Sequence, residues 1–342
     1  TPETATTVDI STFIEGGRCF LLSNIVIKGI EPYFKTKFGQ AYLCDTVELL
    51  KVMDDNSIDL IITSPPFALI RKKRYGNESS SEYIEWFINN FAHEFKRILK
   101  PTGSLVIDIG GTWIKGSPTR SLYHFELLLE LCKKDDNSPG FHLAQEFYWY
   151  NPAKLPTPAQ WVNIERIRVK DAVNPVWWLS KEERPKANNR NVLTPYKKSM
   201  KKLLKDGYNH GPRPSGHNVS QVWGRDNGGA IPPNLLEIAN TSSKDRYLEA
   251  CRKLKLKPHP ARFPKELPAF FIKFLTDPGD VVFDPFGGSC VTGEVAEELG
   301  RYWITSEIVE EYVYGSQFRF FDLPQEQIKE SQEANKTLVG KS

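Results

Sequence analysis

Residues 58–62, Ile-Asp-Leu-Ile-Ile, form an apolar run that passes through Thr63-Ser64 into two prolines, Pro65 and Pro66, and then Phe67. A short apolar run bounded by turn residues reads as a buried strand. Proline lacks an N–H and fixes φ, so Pro65-Pro66 ends the ladder and keeps the chain extended. A hydroxyl, a free carbonyl and an aromatic ring are thereby presented at the C-terminal end of a strand, where ligands bind in open α/β sheets. Taken alone, the string is also an ordinary strand followed by a Pro-Pro turn. A second string far downstream, Asp284-Pro285-Phe286-Gly287-Gly288-Ser289, gives it a partner.

The stretches around both strings alternate strand and helix. Residues 41–44 read as a strand ending at Asp45, 46–53 as a helix, and 58–63 as the next strand, a β-α-β unit that is right-handed by default. Tyr83, Trp86, Phe87, Phe91, Phe95 and Leu99 have helical spacing, and Pro101-Thr102-Gly103 stops them before a buried strand at 104–109. A helix at 122–132 follows. An alternating stretch runs over 141–149, and the strand at 173–179 carries Pro175, which predicts an edge or a bulge. Periodicity fades from about 181 to 257, which reads as an irregular insertion carrying loops. Order returns with a helix at 267–275, a strand at 280–283, a helix at about 292–299, a strand at 302–305 and a last amphipathic helix. Residues 1–38 show no strong period.

Strand, Gly-rich turn, helix, strand and acidic residue make a nucleotide-binding half-unit. Gly287 and Gly288 let the backbone approach a ligand, and the following helix offers N–H groups to an anion. Glu307, about twenty residues on, suits ribose hydroxyls.

Composition bounds the partners. The 40% hydrophobic and 25% charged residues are ordinary for a globular chain, and no apolar run reaches a membrane span. The N-terminus has no secretory pattern and starts at Thr1, as in a processed chain or an excised part of a longer one. The five cysteines are scattered, without C-x-x-C or zinc spacing, which predicts no metal and a reducing, intracellular location: bacterial cytoplasm, or nucleus if eukaryotic. Residues 181–257 hold 17 Lys/Arg against 7 Asp/Glu, while the whole chain carries only +3. A basic segment on a slightly acidic body suggests a polyanion partner. Arg71, Lys72 and Lys73 lie in a loop beside the first string, either a phosphate clamp or a solvated charged loop.

Ser64-Pro65-Pro66-Phe67 together with the string at 284–289 resembles the DNA amino-methyltransferases. The order, catalytic string first and cofactor glycines last, is similar to their β class. Ser64, where Asp or Asn is common, resembles the N4-cytosine members, and Arg213-Pro214-Ser215-Gly216-His217, Asp226-Asn227-Gly228-Gly229 and His259-Pro260-Ala261-Arg262-Phe263-Pro264 resemble the PvuII-type enzymes. The likeness spans roughly residues 39–320. It implies a Rossmann-like methyltransferase fold with a circularly permuted motif order: a seven-stranded, mostly parallel sheet with one antiparallel strand and helices on both faces. It implies an N-terminal extension (1–38), a catalytic half (39–181), a target-recognition region (182–257), a cofactor half (258–322) and a tail (323–342).

The implied cofactor is S-adenosyl-methionine. Asp284, Phe286, Gly287 and Gly288 would line it, with Ser289 at its carboxylate, Glu307 at the ribose, Cys44-Asp45 at the adenine, and Pro260, Ala261 and Phe263 beside the methionine arm. Cys290 departs from the family, which has Gly or Asn there; if φ is positive at this position, Cys is strained. The implied substrate is double-stranded DNA with the target cytosine flipped out. Ser64 Oγ and the Pro65 carbonyl would accept amino hydrogens, Pro66 would stiffen the string, Phe67 would stack, and Tyr148, Trp149 or Tyr150 would face it. The proton's destination is Ser64 or a water. C5 chemistry would need a cysteine after a proline, and no Pro-Cys occurs. Arg213, Arg225 and Asn227 are the expected base readers. The rival readings are an N6-adenine methyltransferase, an RNA base methyltransferase and a non-catalytic DNA-binding module. The sequence leaves the oligomeric state open.

Overall fold

The computed structural model describes residues 10–15, 18–23, 27, 29–67, 82–207, 211–212, 214–216, 218–219, 225–241 and 245–323. Strands β1 (Ile10–Glu15) and β2 (Arg18–Ser23) pair as an antiparallel hairpin. The main sheet uses β3 (Phe34–Lys35), β4 (Gly39–Leu43), β5 (Ile58–Thr63), β6 (Leu99–Asp108), β7 (His142–Tyr150) and β8 (Val173–Ser180). After a two-residue pair, β9 (Gly211–Pro212) with β10 (Asn218–Val219), it adds β11 (Leu235–Glu237), β12 (Val281–Asp284) and β13 (Tyr302–Glu307). Its order is β11-β7-β8-β6-β5-β12-β13-β4-β3.

The seven strands from β7 to β4 are parallel except β8, as expected. Two short strands extend this set to nine: β11 joins β7 in parallel and β3 joins β4 antiparallel. With two or three residues each, neither carries a readable period.

Alternate strand residues fill two cores, as a sheet covered on both faces requires. Ile61, Leu105, Ile107, Trp177, Leu179, Phe283 and Ile304 meet α1 (Thr46–Val52), α2 (Tyr83–Phe87), α3 (His93–Ile98) and α4 (Tyr123–Cys132). Leu60, Ile62, Val106, Val176, Trp178, Val282 and Trp303 meet the opposite layer. Between α2 and α3 the helix continues through a π turn, Ile88–Ala92.

The stretch read as an irregular insertion contains two helices, α5 (Lys198–Asp206) and α6 (Arg246–Leu254). The opposite layer is made by α7 (Glu266–Leu275), α8 (Val291–Glu298) and α9 (Glu310–Ser316). A second correction concerns β8. It lies between β6 and β7 rather than at an edge. Pro175 is tolerated because pairing with β6 ends at Asp108↔Val176, so the proline lies just past that ladder.

The topology places the site. From β5 the chain moves outward to β6, and from β12 outward to β13, with β5 and β12 adjacent in register Leu60↔Val282 and Ile61↔Phe283. That is a switch point, where the loops diverge and leave a crevice at the strands' carboxyl ends. The tips bearing Ser64 and Asp284 are therefore neighbours, joined where Thr63 Oγ1 donates to Asp284 Oδ1 at 2.9 Å.

Candidate active site

The β12 tip is held by a buried carboxylate. Besides the Thr63 bond, Asp284 accepts from Thr292 Oγ1 at 2.7 Å and from the Phe286 N–H at 3.2 Å. It thereby ties together β5, the glycine turn and α8. Burial pushes its carboxyl up to about 6 against the pull of these donors. Glycine is forced at 287 by packing: a Cβ there would lie 1.8 Å from Thr305 Oγ1 of the neighbouring strand. At Gly288 φ is +51°, and a Cβ would meet the His259 ring at 3.1 Å. Glu307 ends β13 and accepts from the Gly288 N–H at 3.0 Å and the Val309 N–H at 2.9 Å. Burial raises its carboxyl as well. Cys290, ahead of α8, has φ 55° and is buried.

Arg319 supports this turn from below. Its side chain is wholly buried and donates to the Ser289 carbonyl, to Glu294 at 2.7 Å and to Asp245 at 3.2 Å. Asp245 caps α6, and the guanidinium also lies 5.0 Å from the Tyr247 ring centre. Tyr247 Oη accepts from the His259 N–H at 2.7 Å, so α6 is wired to the segment holding Pro260, Ala261 and Phe263.

On the other side, β5, β6 and β8 converge. Ser64 Oγ donates to Asp108 Oδ2 at 3.3 Å, and Asn174 Nδ2 donates to Asp108 Oδ1 at 3.3 Å. Asp108 is buried at the end of β6, and desolvation pushes its carboxyl up to about 7 despite both donors and the charge of Lys154. The Phe67 ring rests over Gly110, where a Cβ would meet it at 3.0 Å.

Both sides open on one cleft of about 560 Å³, within the range of small-molecule sites. Its lining includes Ser64, Pro65, Pro66, Phe67, Asp45, Pro260, Ala261, Phe263, Asp284, Phe286, Gly287, Gly288, Ser289 and Glu307. Cys44 does not line it; its side chain packs against the core, and Asp45 takes the rim, capping α1 by accepting from the Val47 N–H at 2.9 Å. Of the three expected facing rings, Trp149 lines the cleft and Tyr148 and Tyr150 do not. Arg225 and Asn227 are exposed away from it, the Asn227 amide donating to the Arg225 carbonyl at 3.3 Å. Arg71, Lys72, Lys73 and Arg213 lie outside the described residues.

Sequence reading missed Asp108, Asn174, Lys154 and His259 in the lining. The available signal was an acid closing an apolar strand beside the Ser-Pro-Pro-Phe tip. Among the described residues, no helix is long and apolar enough to cross a membrane, and no three His, Cys, Asp or Glu side chains group to hold a metal ion.

Known proteins share this plan. The N6/N4 methyltransferase family of DNA methylases matches residues 58–318. The type II methyltransferase M.PvuII of Proteus hauseri is 49% identical over 92% of this chain and 93% of its own. YhdJ of Escherichia coli K12, a DNA adenine methyltransferase, is 26% identical over 83% of this chain and 84% of its own. A solved PvuII DNA methyltransferase, described as cytosine-N4-specific, superposes with a TM-score of 0.71 at 44% identity, covering 89% of this chain and 94% of that one. The chain belongs to the N6/N4 family of DNA methylases, with the PvuII-type enzymes as its near relatives.

Proposed function

We propose that the protein transfers a methyl group from S-adenosyl-methionine to the exocyclic N4 of a cytosine flipped out of double-stranded DNA. The observation that carries this reading is the single cleft in which the Ser64 tip abuts the Gly287-Gly288 turn. Its likeness to a cytosine-N4-specific relative supports the choice of base.

The residues fit the cofactor. Glu307 offers a half-buried carboxylate for ribose hydroxyls, and the turn at 287–289 opens onto the first N–H groups of α8, an anion site for a carboxylate. The bound cofactor supplies an electrophilic methyl on a sulfonium. The protein's part is to aim a weak nucleophile, since the cytosine N4 lone pair is delocalised into the ring. Ser64 Oγ and the Pro65 carbonyl accept the two amino hydrogens and leave the lone pair pointed at the methyl. Phe67 and Trp149 bracket the base.

The bond from Ser64 to Asp108 supports Ser64, with Asp108 behind it, as the route for the proton. Ser64 takes the amino proton as its own passes along the existing bond to Asp108 Oδ2. A carboxyl raised to about 7 is matched to accepting a proton at neutral pH. The basic stretch 182–257 is the proposed target-recognition region. Its exposed Lys198, Lys201, Lys202 and Lys205 on α5 are suited to phosphates, with Arg225 and Asn227 at base edges.

The test is mass spectrometry of nucleosides from DNA incubated with protein and S-adenosyl-methionine. N4-methylcytosine is expected. N6-methyladenine in its place moves the protein to the adenine branch, and cofactor binding by calorimetry with no modified base leaves a DNA-binding module.

A further inference from the structure

The connection from β7 to β8, residues 151–172, is an arm rooted in the site. Trp149 at one root and Asn174 at the other both line the cleft, and so does Lys154 within the arm. The next residue, Leu155, is 73% exposed. It is one of four aliphatic side chains that this arm turns to solvent; Ile164, Ile167 and Val169 are 68%, 59% and 85% exposed.

Isolated exposed leucines are ordinary on protein surfaces. This one is displayed on a braced backbone. The Lys170 ammonium donates to the carbonyls of Pro152 at 3.1 Å and Lys154 at 3.2 Å. Asn163 Nδ2 donates to the Pro156 carbonyl at 2.8 Å. The Asn151 side chain accepts from the Ala153 N–H at 3.1 Å and the Asn240 N–H at 3.2 Å. Farther along, Arg168 stacks 4.4 Å over Trp113, and Asp171 pairs with Arg120 at 3.1 Å. Carbonyls on both sides of Leu155 are therefore fixed. Two cations beside it suit a polyanion: Lys154 precedes it in the chain, and the Lys170 ammonium sits on the Pro152 and Lys154 carbonyls, both side chains being exposed.

Resting on the function above, we propose that Leu155 is the wedge that enters the duplex where the target base leaves. Extruding a base abandons its stacking on both neighbours, a loss of a few kcal/mol. Apolar side chains inserted between base steps take up that space in proteins that distort DNA. A braced leucine at the lip of the pocket, with cations beside it for the flanking phosphates, has the chemistry and the position for this. It is a positioning residue, since it touches neither the cofactor nor the N4 atom.

Two duplexes separate the wedge from everything else, each carrying the sequence context found in DNA methylated by the protein. In one the target cytosine is paired with guanine; in the other it stands opposite an abasic site, so no pair has to be broken. Single-turnover transfer by Leu155→Ala is expected to fall about tenfold or more on the paired duplex and to stay near wild type on the unpaired one. Leu155→Phe, which keeps a wedge, is expected to retain transfer on both. Equal losses on the two duplexes, or none on the paired one, overturn the wedge while leaving the methyltransferase reading intact. Wild-type protein that modifies neither duplex overturns that reading and the wedge with it.

Discussion

The two sides of the cleft differ in how tightly they are bonded. On the β12–β13 side, Asp284 accepts three hydrogen bonds at 2.7 to 3.2 Å and Glu307 two at 2.9 and 3.0 Å. Under them Arg319 meets Glu294 at 2.7 Å. On the β5–β6–β8 side, Asp108 holds Ser64 and Asn174 at 3.3 Å each. In the proposed function the first side is the cofactor wall and the second the base wall, and the cofactor wall is thus assembled by folding itself. The base wall has long bonds of the kind that tighten when a substrate completes the site. Substitutions on the first wall should act on stability and cofactor affinity, and those on the second on turnover.

The largest effect should come from the base wall. Asp108→Asn keeps the shape and one acceptor oxygen but removes the proton acceptor, so turnover should fall by about 10² or more. Calorimetric S-adenosyl-methionine affinity should stay unchanged. Asp108 must be ionised to accept a proton, and its carboxyl is raised to about 7. The wild-type rate should therefore climb with pH up to about 7 and level off above it, and Asp108→Asn should lose that rise. A pH-independent wild-type rate across this window removes Asp108 from the chemistry.

Next is Arg319→Met on the cofactor wall. It takes the wholly buried guanidinium from Asp245 and leaves Glu294 with Lys265, at 2.8 Å, as its remaining cation. Losing one side of a buried network costs about 3–5 kcal/mol, read as a lower midpoint in urea unfolding. A loss under about 1 kcal/mol would mean that the web is looser than its distances imply. Gly287→Ala is expected to be milder, at about 1–3 kcal/mol of overpacking against Thr305. Adding Thr305→Ser, which keeps the hydroxyl, should not rescue it, because the clash is with Oγ1 itself.

What the sequence made legible follows the same division. The cofactor wall is local: Asp284, the glycines and Glu307 lie within one strand–turn–helix–strand unit, and punctuation marks its ends. The base wall is assembled from distant pieces. Asn174 reaches Asp108 across 66 residues, through an antiparallel pairing that nothing in the period announces. Pro175 pointed to an edge because the stop of β6 beside it is a tertiary fact. Helices α5 and α6 were hidden because lysines crowd Met200, Leu203 and Leu204 in one, and the other buries only Tyr247, Ala250 and Cys251. Cys44, read as the last residue of a strand, lies one residue past β4, and its side chain packs against the core and leaves the cleft to Asp45.

The smallest effect tests the one strained joint in the well-bonded wall. Cys290 sits at φ 55°, ψ 37°, where a side chain costs about 1 kcal/mol or more relative to glycine. Its thiol is buried, and its N–H donates to the Gly287 carbonyl at 2.7 Å, so the turn fixes the backbone there whatever the residue. Cys290→Ala and Cys290→Gly lose the same sulfur contacts, but only glycine also sheds the left-handed strain. The Gly variant should therefore be the more stable of the two by about 1 kcal/mol in thermal unfolding, the reverse of the order inside a helix, where glycine trails alanine by about that amount. Should alanine prove the more stable, the backbone at 290 relaxes out of the left-handed region, and the turn is less rigidly preformed than its short hydrogen bonds indicate.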